Sequence, residues 1–160
     1  MNIFQYAMQM EKDGENYYRQ LIEKTANKGL KTIFTMLAEE EGKHYNALEK
    51  MATEKPKMAD TTILEEAKNV FAQLKNAGEV LAPDIAQIES YKKAQNIEAR
   101  SRDFYLEKAE EVEKEYQREL LLKLAEEEKK HYFLLDNIIE FVSRPDFWLE
   151  NAEFCHLEEY

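Results

Sequence analysis

Two similar stretches decide how this chain folds: LAEEEGKHYNAL at residues 37–48 and LAEEEKKHYFLL at residues 124–135. Each contains a Glu-x-x-His motif, which pairs Glu41 with His44 and Glu128 with His131. Residues three apart share one face of an α-helix, so each motif directs a carboxylate and an imidazole to one point. That ligand pair suits iron, manganese or zinc. One such motif is weak evidence, because acidic helices produce it by chance, but two copies in matching surroundings are strong evidence.

The repetition extends beyond the two motifs. Glu128 and His131 lie 87 residues after Glu41 and His44, and the same offset relates Glu98 to Glu11 and Tyr105 to Tyr18. A fixed offset of this kind indicates an internal repeat. The sequence therefore predicts two copies of one helical hairpin, at residues 3–53 and 85–143.

Composition favours long helices and excludes several classes of protein. Only 4 Gly and 3 Pro occur in 160 residues, while 44% are hydrophobic and 34% are charged. The net charge of -11 argues against nucleic-acid binding, because phosphates would be repelled. No apolar run approaches the ~20 residues that a membrane span needs, and the N-terminus does not resemble a signal peptide. With Cys155 as the one cysteine, a rubredoxin or zinc-ribbon module is excluded from these residues, and a cytoplasmic location is expected.

Start and stop signals divide the chain into helices. Asn2 is expected to cap the first helix, Asn27-Lys28-Gly29 to end it, and Pro56 to follow the second. The third should begin at Pro83-Asp84, the fourth after a turn near Lys114–Tyr116, and Pro145 should end it. Between the hairpins, a crossover at residues 54–84 should carry a short helix, which Thr61 or Thr62 begins and Asn76-Ala77-Gly78 ends.

These signals predict an all-α fold, namely an antiparallel four-helix bundle in residues 1–145 with one long crossover between its second and third helices. Residues 146–160 form an apolar tail that is expected to dock on the bundle or on a partner subunit. We expect a homodimer, since twofold dimers are the commonest soluble assembly.

Six polar residues fall on the otherwise apolar stripes of the four helices: Glu11, Glu41, His44, Glu98, Glu128 and His131. Any one of them alone would more often be a core histidine or a solvated edge glutamate. Together they form the ligand set of ferritin-like di-metal proteins, and four carboxylates balance the charge of two divalent ions. A ferritin-like di-metal site is therefore predicted.

Two tyrosines have two open interpretations. Tyr18 and Tyr105 are either core residues or hydrogen-bond donors to the ligands. If the first and third helices run antiparallel, Tyr18 reaches Glu98 and Tyr105 reaches Glu11. Other polar residues are expected to be structural or on the surface. The expected surface residues are Glu15, Glu39, Glu40, Glu126 and Glu127, and the expected structural ones are Cys155 and His156.

The motifs MEKDGENYY, LAEEEGKHY, IEARSRDFY and LAEEEKKHY resemble the rubrerythrin branch of the ferritin-like superfamily. The resemblance implies that Glu41 and Glu128 bridge two irons, with one further glutamate and one histidine on each iron. It also implies reduction of hydrogen peroxide with electrons from a rubredoxin-type donor. Rubrerythrins carry an extra glutamate one turn after the third-helix ligand, where this chain has Ser101, so a ligand exchange at that glutamate is not expected.

The leading functional hypothesis is a di-iron protein that reacts with peroxide or dioxygen and receives electrons from an external, rubredoxin-like or other reductant. No catalytic residue is predicted beyond the metal centre, and manganese or zinc could replace iron. One alternative is a ferroxidase that handles iron as substrate. Another is a metal-binding or regulatory protein without enzymatic activity.

Overall fold

The computed structural model describes residues 2–51, 53–77 and 85–143. The regular secondary structure of this part of the chain is entirely helical, so the prediction of an all-α fold is confirmed. The five helices are α1 (Ile3–Lys24), α2 (Lys28–Lys50), α3 (Ile63–Ala77), α4 (Ile85–Glu111) and α5 (Glu115–Ser143). Helix α1 packs along α2 and α4 packs along α5, which gives the two hairpins of the repeat.

Helix α1 begins at the residue that the sequence indicates. The Asn2 side chain accepts a hydrogen bond from the Gln5 backbone N–H at 2.9 Å, and the Gln5 side chain accepts one from the Asn2 N–H at 3.1 Å. This reciprocal capping box satisfies two backbone donors that a helix start leaves without partners.

The predicted end of α1 is wrong by a few residues. The helix ends at Lys24, Thr25 is its C-cap, and Asn27 caps the start of α2 by accepting from the Leu30 N–H at 2.9 Å. Asn is favoured both after a helix and at an N-cap, and here the N-cap role wins because its side chain has a free backbone donor within reach. Gly29 consequently lies inside the first turn of α2.

The second hairpin repeats this connection. Helix α4 ends at Glu111 and α5 begins at Glu115, each 87 residues after the matching helix end in the first hairpin. The turn predicted near Lys114–Tyr116 lies at residues 112–114 instead, because the 87-residue offset carries the same error as the predicted end of α1.

The crossover carries the short helix α3, which packs against both α2 and α5. Both predicted threonines contribute to its start, since Thr61 Oγ1 accepts from the Ile63 N–H at 3.2 Å and the Thr62 carbonyl accepts from the Glu66 N–H at 3.1 Å. The ring of Phe71 on α3 meets that of Phe141 on α5 edge to face, with 5.3 Å between the ring centres. Gly78, Pro83 and Asp84 lie outside the described residues, so their predicted roles stay predictions.

Two hydrophobic clusters fill the bundle, and each of the four long helices passes from one cluster to the other. Ala7 on α1 and Tyr105 on α4 belong to one cluster, and Tyr18 on α1 and Ala94 on α4 belong to the other. Helix α1 therefore runs from the first of these clusters to the second, and α4 runs in the opposite direction. Helices α1 and α4 are therefore antiparallel. In every long helix, the predicted site residues lie between the two clusters.

None of the described helices is long and apolar enough to cross a membrane. Pro145 and the tail, with Cys155 and His156, lie outside the described residues, so the expectations of tail docking and of a tail-mediated dimer stay predictions.

Candidate metal centre

The six predicted residues meet between the two apolar clusters. Their exposed fractions range from 0% to 4%, although all six carry groups that prefer water. Burying an ionised carboxylate without a partner is costly. The position of these residues therefore calls for ion pairs, protonation or a metal ion.

The residues form two overlapping groups. One contains Glu11, Glu41, His44 and Glu128, and the other contains Glu41, Glu98, Glu128 and His131. Within each group, one ligand atom per residue lies within 4.8 Å of all the others. Because Glu41 and Glu128 belong to both groups, the arrangement suits two neighbouring cations that share two carboxylates.

Both imidazoles direct the same nitrogen inward. His44 Nδ1 lies 2.9 Å from Glu128 Oε1 and 3.4 Å from Glu11 Oε2. His131 Nδ1 lies 3.4 Å from both Glu41 Oε1 and Glu98 Oε1. The rings stack almost parallel, with 5.7 Å between their centres, so each ring serves one of the two groups.

The outer nitrogens face two glutamates that the sequence pattern predicts to be on the surface. His44 Nε2 lies 2.9 Å from Glu127 Oε1, and His131 Nε2 lies 3.6 Å from Glu40 Oε1. Glu127 and Glu40 are only 4% and 8% exposed, so the prediction that they are solvated is wrong. Each contacts the histidine of the opposite hairpin, which explains why the pattern of one helix did not reveal the contact.

The other three glutamates that are predicted to lie on the surface are exposed or half-buried. Glu39 and Glu126 are exposed. Glu15 is half-buried and pairs with Lys12 at 3.2 Å and Arg19 at 3.7 Å on its own helix. The distinction among the five follows from the helix faces that meet when α2 and α5 approach one another.

The crossed tyrosine contacts predicted from the repeat are present. Tyr18 Oη donates to Glu98 Oε1 at 2.5 Å, and Tyr105 Oη donates to Glu11 Oε1. Burial, together with the charges of nearby carboxylates, raises the pKa of both tyrosines well above its ordinary value of 10. Both hydroxyls therefore keep their protons and act as donors to the terminal glutamates.

Gly14 keeps space open beside the shared carboxylates. A Cβ atom at this position would lie 3.4 Å from Glu41 Oε2, in van der Waals contact with that carboxylate. The equivalent residue of the second hairpin is Ser101, which is buried and small. Neither position adds a carboxylate to the cluster.

The electrostatics divide the four carboxylates into two pairs. Burial first, and then the charges of neighbouring glutamates, raise the pKa of Glu41 and Glu128 well above the ordinary 4.5. Burial also acts to raise the pKa of Glu11 and Glu98, but the nearby His44 and His131 lower it, in Glu98 to about 2. In the absence of metal, the shared carboxylates therefore keep their protons to higher pH than the terminal ones do.

The two histidines compensate the charges of the terminal carboxylates. Burial alone would lower their pKa values, but Glu11 raises the pKa of His44 well above 6.5 and Glu98 raises that of His131 to about 9. Imidazolium and protonated carboxyl groups thus stabilise the metal-free cluster. Divalent cations would replace these protons, as metal binding to His and Glu generally does.

Several buried atoms at the site have no hydrogen-bond partner among the described residues. They include Glu11 Oε2, Glu98 Oε2 and His131 Nδ1, all of which belong to the two ligand groups. Buried polar atoms without partners are rare and need a reason. Oxygen and imidazole donors of this kind fit iron, manganese or zinc, so the residues present fit a metal centre.

Two comparisons with known proteins found a match. The sequence model of the rubrerythrin family matches residues 2–139. The chain belongs to the rubrerythrin family. A solved structure of a hypothetical protein from Pyrococcus furiosus is similar, with a TM-score of 0.59 and 22% identity over 88% of this chain and 87% of that one, which supports the fold alone. A search of curated proteins found no match.

In this rubrerythrin-family chain, a sequence signal for the missed glutamates does exist. Glu40 and Glu127 are equivalent under the 87-residue offset, and each precedes its own histidine by four residues, so glutamate and histidine share a helix face. The apolar stripes include Glu41 and Glu128 but neither Glu40 nor Glu127, so by themselves they predict that the latter two are solvated. A glutamate beside a metal-ligand histidine can instead contact the facing helix.

Proposed function

We propose that this rubrerythrin-family chain is a di-iron protein that reduces hydrogen peroxide or reacts with dioxygen, with electrons supplied from outside this domain. One observation carries the proposal: two four-residue ligand groups share Glu41 and Glu128 and contain buried ligand atoms that have no hydrogen-bond partner among the described residues. Two irons held in this way would supply the two electrons that cleavage of an O–O bond requires.

The residues of the site would have distinct roles. Glu41 and Glu128 would hold both ions at a fixed separation, while Glu11 with His44 and Glu98 with His131 would complete the two coordination sets. Tyr18 and Tyr105 would orient the terminal carboxylates through their hydroxyls. The apolar clusters on either side exclude bulk water, which strengthens each of these interactions.

The stoichiometry and identity of the ligands can be tested by anaerobic Fe(II) titration. We expect two ions per chain, and we expect the double variant Glu41→Gln, Glu128→Gln to lose the paired site. A matched control is Glu39→Gln, which changes an exposed glutamate of the same helix. Two irons bound with unchanged affinity by the double variant would refute the ligand assignment.

The reaction itself can be tested by stopped-flow oxidation of the Fe(II)-loaded protein. Oxidation that is much faster with peroxide than with dioxygen supports peroxide reduction. Repeated uptake and oxidation of iron beyond two ions per chain would indicate a ferroxidase instead. Full iron loading without any oxidation would contradict a redox function and favour a metal-binding role.

A further inference from the structure

Glu127 and Glu40 are buried carboxylates that lie outside both ligand groups. They hold equivalent places in the two hairpins, immediately before the shared glutamates, and are 4% and 8% exposed. Each faces the outer nitrogen of the histidine from the opposite hairpin. Glu127 Oε1 lies 2.9 Å from His44 Nε2, within hydrogen-bond distance. Glu40 Oε1 lies 3.6 Å from His131 Nε2, which is an ion-pair distance and leaves that nitrogen without a hydrogen-bond partner among the described residues. This twofold-related arrangement calls for a shared role.

A carboxylate at Nε2 determines how an imidazole can serve a metal. A neutral imidazole carries one proton, and an acceptor at Nε2 keeps that proton on Nε2 and leaves the Nδ1 lone pair free. In this chain Nδ1 of both rings points at the carboxylate cluster. Such an acceptor also fixes the ring orientation and makes the ligand nitrogen more basic.

We propose that Glu127 and Glu40 are positioning residues that hold His44 and His131 with Nδ1 directed at the metal site, each acting across the interface between the two hairpins. The inference rests on the proposed function, since it assumes that the two histidines bind metal. It adds a requirement for contact between the hairpins, because neither hairpin supplies the outer partner of its own histidine.

The contacts of Glu40 differ from those of Glu127. Glu40 Oε1 also accepts a hydrogen bond from Thr61 Oγ1 in the crossover, and Glu40 Oε2 lies 3.8 Å from Lys43 Nζ. Glu127 makes its hydrogen bond to His44 through Oε1, and its Oε2 has no hydrogen-bond partner among the described residues. Glu127 therefore holds His44 more directly than Glu40 holds His131, so two cations should bind with unequal affinity and the His44 group should be the tighter one.

The same two glutamates separate the histidines from a pocket. A pocket of about 310 Å³ lies between α2, α5 and the crossover, and its lining includes Glu40, Glu127 and Thr61. The two imidazole rings have no exposed surface. Removal of either carboxylate should therefore let water approach Nε2, which gives the proposal a readout that a general loss of stability would not produce.

Co(II) is a suitable probe, because its binding is visible by absorption and shifts the resonances of nearby protons. We expect Glu127→Ala to raise the dissociation constant of the tighter ion about 10–100-fold. Glu127→Gln should lose less, because its amide oxygen still accepts from Nε2–H. Glu40→Ala should weaken the second ion, by a smaller factor, and the exposed control Glu39→Ala should change neither constant.

The proton on Nε2 gives the decisive signal. In the Co(II)-loaded protein it should appear as a strongly shifted, solvent-exchangeable resonance for each histidine, and Glu127→Ala should broaden or abolish the His44 resonance alone. Unchanged resonances and unchanged affinities in folded Glu127→Ala and Glu40→Ala would overturn the inference. If an alanine variant does not fold, the leucine variants Glu127→Leu and Glu40→Leu, which keep much of the side-chain volume but carry no acceptor, decide by the same two measurements.

The two proposals fail in distinguishable ways. A wild-type chain that binds fewer than two Co(II) ions would contradict the proposed di-metal function itself. A wild-type chain that binds two ions, together with unaffected variants, would contradict only the positioning role.

Discussion

At the scale of single residues, the site depends on polar groups that connect the two hairpins. Tyr18 on α1 donates to Glu98 on α4, and Tyr105 on α4 donates to Glu11 on α1. Hydrogen bonds to ionised carboxylates are about twice as strong as neutral ones. These two hydroxyls therefore fix the terminal carboxylates in place before any metal arrives.

Replacement of Tyr18 by Phe should weaken metal binding about 10-fold or more, because Glu98 loses its donor. Tyr17→Phe is a matched control on the same helix, since Tyr17 Oη donates to the Ser90 backbone oxygen at 2.6 Å and also joins α1 to α4. Isothermal titration with Co(II) measures both variants. Equal losses in the two variants would show that the effect is general loosening of the bundle rather than orientation of Glu98.

At the scale of elements, the crossover helix is fitted closely to the start of α2. Gly29 lies in the first turn of α2, and a Cβ atom there would come within 2.8–2.9 Å of the Leu74 side chain on α3. Leu74 is itself buried, at 6% exposed. Glycine at this position is therefore explained by the approach of α3 rather than by helix propensity, which would favour alanine.

Gly29→Ala should lower the free energy of unfolding by about 1–3 kcal/mol, the usual cost of overpacking, despite a gain of about 0.5–1 kcal/mol in helix propensity. In a Leu74→Ala background the same change should become neutral or stabilising, because the clash is gone. Urea unfolding of the four proteins in this double-mutant cycle measures the coupling. Additive effects would contradict the predicted contact.

At the scale of the whole molecule, the buried cluster couples stability to pH. In the metal-free protein the raised pKa values of Glu41, Glu128, His44 and His131 mean that the folded state holds protons that the unfolded state releases. Groups of this kind stabilise the fold below their unfolded pKa and lose that contribution as pH rises through the folded pKa. The lowered values of Glu40 and Glu98, both about 2, have their effect only below about pH 4.5.

The metal-free protein should therefore become less stable as pH rises from about 5 to about 9, the upper limit being the pKa of His131. The midpoint of urea unfolding in the presence of a chelator, measured across this range, checks the sign. In the double variant Glu41→Gln, Glu128→Gln the slope should be smaller, because glutamine resembles the protonated carboxyl. Stability that rises with pH in the wild type would contradict this assignment of protons.

A second prediction at this scale concerns assembly. The sequence of the tail contains five large apolar residues, Phe147, Trp148, Leu149, Phe154 and Leu157. An apolar surface of this size is rarely left exposed on a monomer. We expect a homodimer of the full chain by light scattering, and a weaker dimer or a monomer when the chain is ended after Arg144. A full-length monomer at micromolar concentration would refute the dimer, and an unchanged dimer after truncation would exclude the tail from the contact.

The sequence by itself determined the helical hairpin repeat and the six clustered residues, and it offered the crossed tyrosine contacts as one of two interpretations. It could do so because helical periodicity and a fixed 87-residue offset are local properties of the chain. The burial of Glu40 and Glu127 was decided only by tertiary structure, since it depends on which faces of α2 and α5 meet and on the crossover beside Thr61. The end of α1 was likewise decided by a competition between two uses of Asn27, and the free Leu30 N–H that settled it exists only once α2 has formed.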